Sequence, residues 1–86
     1  MENHAASAEQ VADRVAASIR AAMAYQKKKP ADLAAVLNLT PRTAAKRLDG
    51  ELPGFGVIEL YLVAAWLGTT PEALLVGDSH SERVAV

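Results

Sequence analysis

Arg42, Lys46 and Arg47 fall within one short stretch that also carries Thr40, Pro41, Thr43 and Ala45, and the triplet Lys27-Lys28-Lys29 stands just upstream. An arginine fork can grip a phosphate or pair with both O6 and N7 of a guanine, whereas a lysine acts as a mobile point charge. No other chemistry is assembled in the chain. His4 and His80 lie near the two ends, where nothing positions them as base or ligand. No carboxylate pair falls at helical spacing within a stretch suited to a cleft, and there is no glycine-rich phosphate loop. Cysteine is absent, so thiolate catalysis, disulfides and thiolate metal sites are excluded. Neither an enzyme nor a cofactor is expected. Between Arg20 and Arg47 seven cations face a single acid, Asp32, for a net of +6; the remainder, with Arg14 and Arg83 against nine acids, carries −7. The formal total of −1 hides this asymmetry, which can turn one positive face toward a polyanion. The plainer use of the same charges is to solvate surface helices.

The stretch that positions these cations is Pro30 to Gly50, PADLAAVLNLTPRTAAKRLDG. Leu33 and Leu37 stand four apart, as do Ala44 and Leu48, which gives two short helices one apolar stripe each. Asn38 suits the left-handed residue that closes the first, at about Leu37. Thr40 is a good N-cap and Pro41 a good first residue for the second, which runs to about Leu48 before Asp49-Gly50. The layout is that of a helix-turn-helix.

The flanking segments are also helical. Ser7 and Gln10 form a possible capping box, and the alanine-rich run from about Ala8 to Lys28 lacks glycine and proline. Val11, Val15, Ile19, Ala22, Met23 and Gln26 trace its stripe, and Pro30 bars helix at Lys29. This first helix is long, and its opening turns suit either a partner subunit or a frayed extension. Glu51 to Gly56 reads as a loop with Phe55 plugging the core edge. Val57 to Leu67 is apolar nearly all round, which predicts a helix buried on more than one side. Gly68 ends it, Thr70-Pro71-Glu72 opens a short fifth helix, and Gly77 closes that. Residues 1–7 are read as a flexible start. Residues 78–86, where Val84 and Val86 alternate, are read as a strand or a loose tail, either dimerising or disordered. Tyr61 and Trp66 are simplest as core, and Asp32 and Asp49 as helix-end residues.

The expected fold is all-α: a compact five-helix bundle over residues 8–77 around Val15, Ile19, Leu33, Leu37, Leu48, Ile58, Leu62 and Leu67. With 86 residues there is room for one domain, and 51% hydrophobic against 22% charged residues argues for a folded chain. No apolar run approaches the ~18–20 residues needed to span a bilayer, and MENHAASAEQ lacks the basic start and apolar middle of a secretory signal. Asn38-Leu39-Thr40 matches a glycosylation pattern that has no meaning without secretion. The cytoplasm is the expected compartment.

In order and spacing, Leu33-Ala34, Leu39-Thr40, Gly50 and the closing Leu67-Gly68 with Glu72-Ala73-Leu74-Leu75 resemble the lambda-repressor-like (Cro/repressor, XRE-type) DNA-binding domains. The resemblance covers about Ile19 to Gly77. It implies that the helix opening at Pro41 enters the major groove, with Thr40, Pro41, Arg42, Ala45 and Lys46 at the base-contacting positions. Arg42 is the candidate for reading guanine, or else a phosphate contact that carries no sequence information. Lys46 can do either. Thr43 bonds a phosphate or serves the helix start. Ala45 touches a thymine methyl or simply permits close approach. Three positions depart from the family's pattern. Pro30 stands where a phosphate-binding glutamine is common, leaving Lys28 or Lys29 as substitutes. Pro41 replaces a polar residue. Arg47 occupies a large apolar position, where its stem can cover the core and its head reach phosphate, unless the helix register differs.

The resemblance implies a phage-type or bacterial transcriptional repressor, or a Cro-like regulator, that occludes an operator on duplex DNA. One such domain offers few base contacts, so a homodimer on half-sites about one helical turn apart, ~34 Å, is expected. Two alternatives stand beside it. In a winged excisionase-like or MerR-like architectural protein, GELPGF would open a wing and strands would replace the fourth helix. An antitoxin-like or adaptor module would keep the fold but bind protein.

Overall fold

The computed structural model describes residues 7–77. Expectations for residues 1–6 and 78–86, including His4, His80, Val84 and Val86, lie outside them. The described residues form helices α1 (Ala8–Tyr25), α2 (Pro30–Leu37), α3 (Pro41–Leu48), α4 (Val57–Leu67) and α5 (Pro71–Val76), with no strand. The all-α bundle read from the sequence is thus the observed architecture. Because Val57–Leu67 is helical, the GELPGF stretch opens no wing, and the winged reading is set aside.

Local chemistry accounts for nearly every helix end. Ser7 Oγ accepts from the Gln10 N–H at 3.1 Å while Gln10 Oε1 accepts from the Ser7 N–H at 3.0 Å, the reciprocal box that starts α1. This helix stops at Tyr25, three residues before the expected Lys28. Lys27 takes the left-handed conformation (φ 60°) and the Lys28 N–H closes onto the Met23 carbonyl at 2.8 Å. Such a closing motif consumes two residues beyond the helix, so a chain that must be extended at Lys29 has to end its helix early. Asn38 is left-handed at φ 57° and passes the chain to Leu39, whose N–H reaches the Ala34 carbonyl at 2.9 Å. Thr40 then caps α3, as Thr70 caps α5.

The core gathers Val15, Ile19 and Met23 of α1, Leu33 and Leu37 of α2, Ala44 and Leu48 of α3, Leu60, Val63 and Leu67 of α4, and Leu74 of α5. Helix α1 packs on α3, α4 and α5, while α2 packs on α3 and α4. Phe55 and Trp66 are half-buried against this core. The opening turns of α1 do not project. Ala8, Val11 and Ala12 line a cavity of about 330 Å³ with the loop Leu52 to Phe55, Leu60 and Leu75.

Helix α4 corrects the sequence reading. Ile58 and Leu62 are not core residues, nor is Tyr61: their exposures are 73%, 47% and 59%, and Val57 is 73% exposed. The helices it touches cover only the face carrying Leu60, Val63, Ala64 and Leu67. A helix that is apolar all round reports that burial is available but not from which direction it comes. No described helix is long and apolar enough to cross a membrane.

Candidate nucleic-acid interface

Helix α3 is held from both ends. At its start the Thr40 hydroxyl accepts from the Thr43 N–H at 3.1 Å and donates to Thr43 Oγ1 at 3.0 Å. Thr40 and half-buried Thr43 therefore serve the helix start, and Thr43 retains a hydroxyl proton to donate outward. At its end, the last carbonyls would be orphaned in any isolated helix. Here the Asp49, Gly50 and Glu51 N–H groups close onto the carbonyls of Ala45, Lys46 and Arg47, and an Arg20 guanidinium nitrogen from α1 donates to the Leu48 carbonyl. A cation at a helix C-terminus also complements the helix dipole. Arg20 thus ties the orientation of α3 to α1, a role that nothing local in the sequence announces.

With Ala44 and Leu48 turned into the core, Pro41, Arg42, Ala45 and Lys46 share the exposed face of α3, joined at its end by Asp49. Arg42 and Lys46 stand one turn apart. Among the described residues neither side chain takes part in a hydrogen bond or ion pair, and the same holds for exposed Lys27 and Lys29. The Lys29 backbone N–H is occupied, donating to Asp32 Oδ2 at 2.8 Å to start α2. Pro30, at the first position of α2, contributes no donor.

The remaining cations of the basic segment are committed internally. Lys28 Nζ donates to the Trp66 carbonyl at 2.9 Å and sits 4.7 Å from the centre of the Trp66 ring, a combined cap and cation–π contact. Gln26 Nε2 donates to the Leu67 carbonyl at 2.8 Å, and the Thr69 and Gly68 N–H groups take Ala64 and Ala65, so the last four carbonyls of α4 are all satisfied. The Arg47 side chain is 18% exposed, and its head meets Glu59. Nε donates to Oε1 at 3.0 Å and Nη2 to Oε2 at 3.2 Å. Lys28 and Arg47, both read from the sequence as phosphate ligands, are therefore braces of the fold. The free positive face is narrower: Lys27, Lys29, Arg42 and Lys46.

The Arg47–Glu59 fork joins the last turn of α3 to the first turn of α4, where Glu59 Oε1 also accepts from the Gly56 N–H at 3.1 Å. The bonds from Arg47 hold the Glu59 carboxyl below its ordinary value of 4.5, with the Gly56 N–H and the Arg47 charge adding to the effect and desolvation opposing it. A carboxylate whose folded pKa is lowered stabilises the fold above its ordinary value, and that stabilisation is lost as pH falls through the lowered one. Glu59→Gln should therefore cost about 1 kcal/mol at neutral pH, a paired bond to a half-buried charge. The gap from wild type should close in thermal melts taken at successively lower pH below 4.5. A gap independent of pH would show that the ion pair contributes nothing.

Among the described residues no group of three or more histidine, cysteine or acidic side chains is placed to hold a metal ion. Comparison of the chain with protein-family models, with curated proteins and with solved structures finds no match.

Proposed function

We propose that this protein is a sequence-specific duplex-DNA-binding regulator that lays α3 in the major groove and represses by occluding an operator, as a transcriptional repressor or a Cro-like regulator does. The observation that carries this reading is the exposed face of α3. Arg42 and Lys46 project from it without partners among the described residues, whereas neighbouring cations of the same segment are consumed by the fold. Ala45 between them leaves room for a base edge to approach, and Pro41 sets the helix start without adding bulk at the groove floor. Arg42 reads a base edge, guanine being its best match, and Lys46 contacts base or phosphate. Lys27 and Lys29, at the turn before α2, meet the backbone and set the register. With so few base contacts per chain, useful affinity comes from two copies on a paired site in the cytoplasm.

The test is fluorescence anisotropy of a labelled random-sequence duplex at several salt concentrations. Wild type should bind with a dissociation constant of roughly 1–100 μM, and its affinity should fall steeply with salt, because each neutralised phosphate contributes about −0.9 to the slope of log association constant against log salt. Arg42→Ala/Lys46→Ala should lose about 10-fold or more in affinity and reduce the magnitude of that slope by about 1–2. Absence of binding at low salt, or an unchanged slope in the double variant, would refute the assignment of α3.

A further inference from the structure

We infer that the outer face of α4 is the surface on which two copies of this chain pair, helix against antiparallel helix about a two-fold axis. Ile58, Tyr61, Leu62 and Ala65 recur at the i, i+3, i+4, i+7 spacing of a packing seam, and all four are exposed. Val57 widens the stripe. The only charge among the eleven residues of α4 is Glu59, and it is already bound to Arg47. An apolar stripe that size on a charged surface is an interface in search of a partner.

Three features select a second copy. The first is size. With exposures of 73%, 73%, 59% and 47% for Val57, Ile58, Tyr61 and Leu62, the stripe presents on the order of 500 Å² per chain, so a pair that covers it fully buries about 1,000 Å², the lower bound for a specific interface. The second is self-complementarity. In an antiparallel pairing centred between Tyr61 and Leu62, Ile58 meets the partner's Ala65, large against small at both ends, and Tyr61 meets the partner's Leu62. A parallel pairing would set Ile58 on Ile58 and leave a gap at Ala65. The third is charge. An uncharged stripe meets its own copy without like-charge repulsion, and α4 carries none of the flanking Lys or Arg with which an interfacial helix grips a lipid surface. The inference deepens the reading of paired operator binding and rests on it only for its biological use.

Sedimentation velocity across a micromolar concentration series, without DNA, tests it. Wild type should be a dimer at the upper concentrations. Leu62→Glu should weaken the dimer by about 100-fold or more while keeping the helical spectrum and cooperative melt, since the site is exposed in the monomer. Mixing Tyr61→Glu chains with Leu62→Lys chains should restore pairing, because the antiparallel register sets the two new charges against each other. The chain has no cysteine, so disulfide trapping has no background. Ile58→Cys chains should cross-link with Ala65→Cys chains, and neither should cross-link with itself. A monomeric wild type, a dimer indifferent to Leu62→Glu, or self-linking of Ala65→Cys chains would overturn the proposal. A short duplex with room for one copy reports α3 separately, so loss of dimerisation with DNA binding intact is distinguishable from the reverse.

Discussion

Gly50→Ala is expected to destabilise the protein by about 2–3 kcal/mol and to lower its thermal midpoint by roughly 10–20 °C. Gly50 stands just past the Asp49 cap of α3, with φ at +80°, a conformation that costs an L side chain roughly 1–2 kcal/mol by itself. Its neighbourhood adds a second penalty. A Cβ built there would lie 2.3 Å from Asp13 Oδ1 and 3.2 Å from Asp13 Cα on α1. The exposed carboxylate can swing away, but the Cα belongs to a helix backbone and can give way only if the loop lifts from α1. Gly68 separates the two terms. It is also left-handed, at φ +75°, but a Cβ there would meet nothing within 4 Å. Gly68→Ala should therefore show the backbone strain alone, about 1 kcal/mol. Calorimetry or urea melts on the two variants measure the difference. Equal losses would mean that the approach of the α3–α4 loop to α1 does not constrain the fold. Because the Gly50 N–H helps close α3 and Arg20 of α1 caps the Leu48 carbonyl near it, displacement here also moves α3, the helix proposed to meet DNA.

The second large effect is expected at Leu33. It is fully buried at 0% exposure on α2, the helix that packs on both α3 and α4. Leu33→Ala removes the buried methyl groups and leaves a cavity that short, capped helices cannot collapse to fill, at a cost of about 3–4 kcal/mol. For a domain this size that is a large share of a total stability on the order of 5–10 kcal/mol. Leu33→Met keeps most of the volume and should cost under ~1.5 kcal/mol. The midpoint of urea unfolding reads both, with the dependence on denaturant unchanged if the folded state survives. A loss below ~1 kcal/mol for Leu33→Ala would contradict the packing of α2 onto α3.

Much of the architecture was legible because its determinants are local. Ser7 with Gln10, Asn38, Thr40-Pro41, Gly68 and Thr70-Pro71 each act within one turn, through a side-chain cap or a permitted left-handed residue, and the start of α1, the end of α2, the start of α3, the end of α4 and the start of α5 follow from them. Helix α1 ends three residues before Lys28, where its alanine-rich pattern runs out. The proline limit at Lys29 is visible in the sequence, whereas the closing bonds through Lys27 and Lys28 are a choice made by the folded chain. On α3 itself, the apolar Ala44 and Leu48 already implied which residues face outward, so the exposure of Arg42, Ala45 and Lys46 was readable.

The sequence alone determined the helices, the short α2–α3 pair among them, and the clustering of positive charge between Arg20 and Arg47, because periodicity, caps and composition act over a few residues. Tertiary structure alone decided which of those charges remain free. Arg20, Lys28 and Arg47 are spent on the Leu48 carbonyl, the Trp66 carbonyl and Glu59, partners 28, 38 and 12 residues away. It also decided that α4 shows Ile58, Tyr61 and Leu62 to solvent, since a helix apolar all round carries no local mark of its inner face. Both outcomes depend on which groups the packed chain brings within bonding distance, and no short-range pattern encodes that.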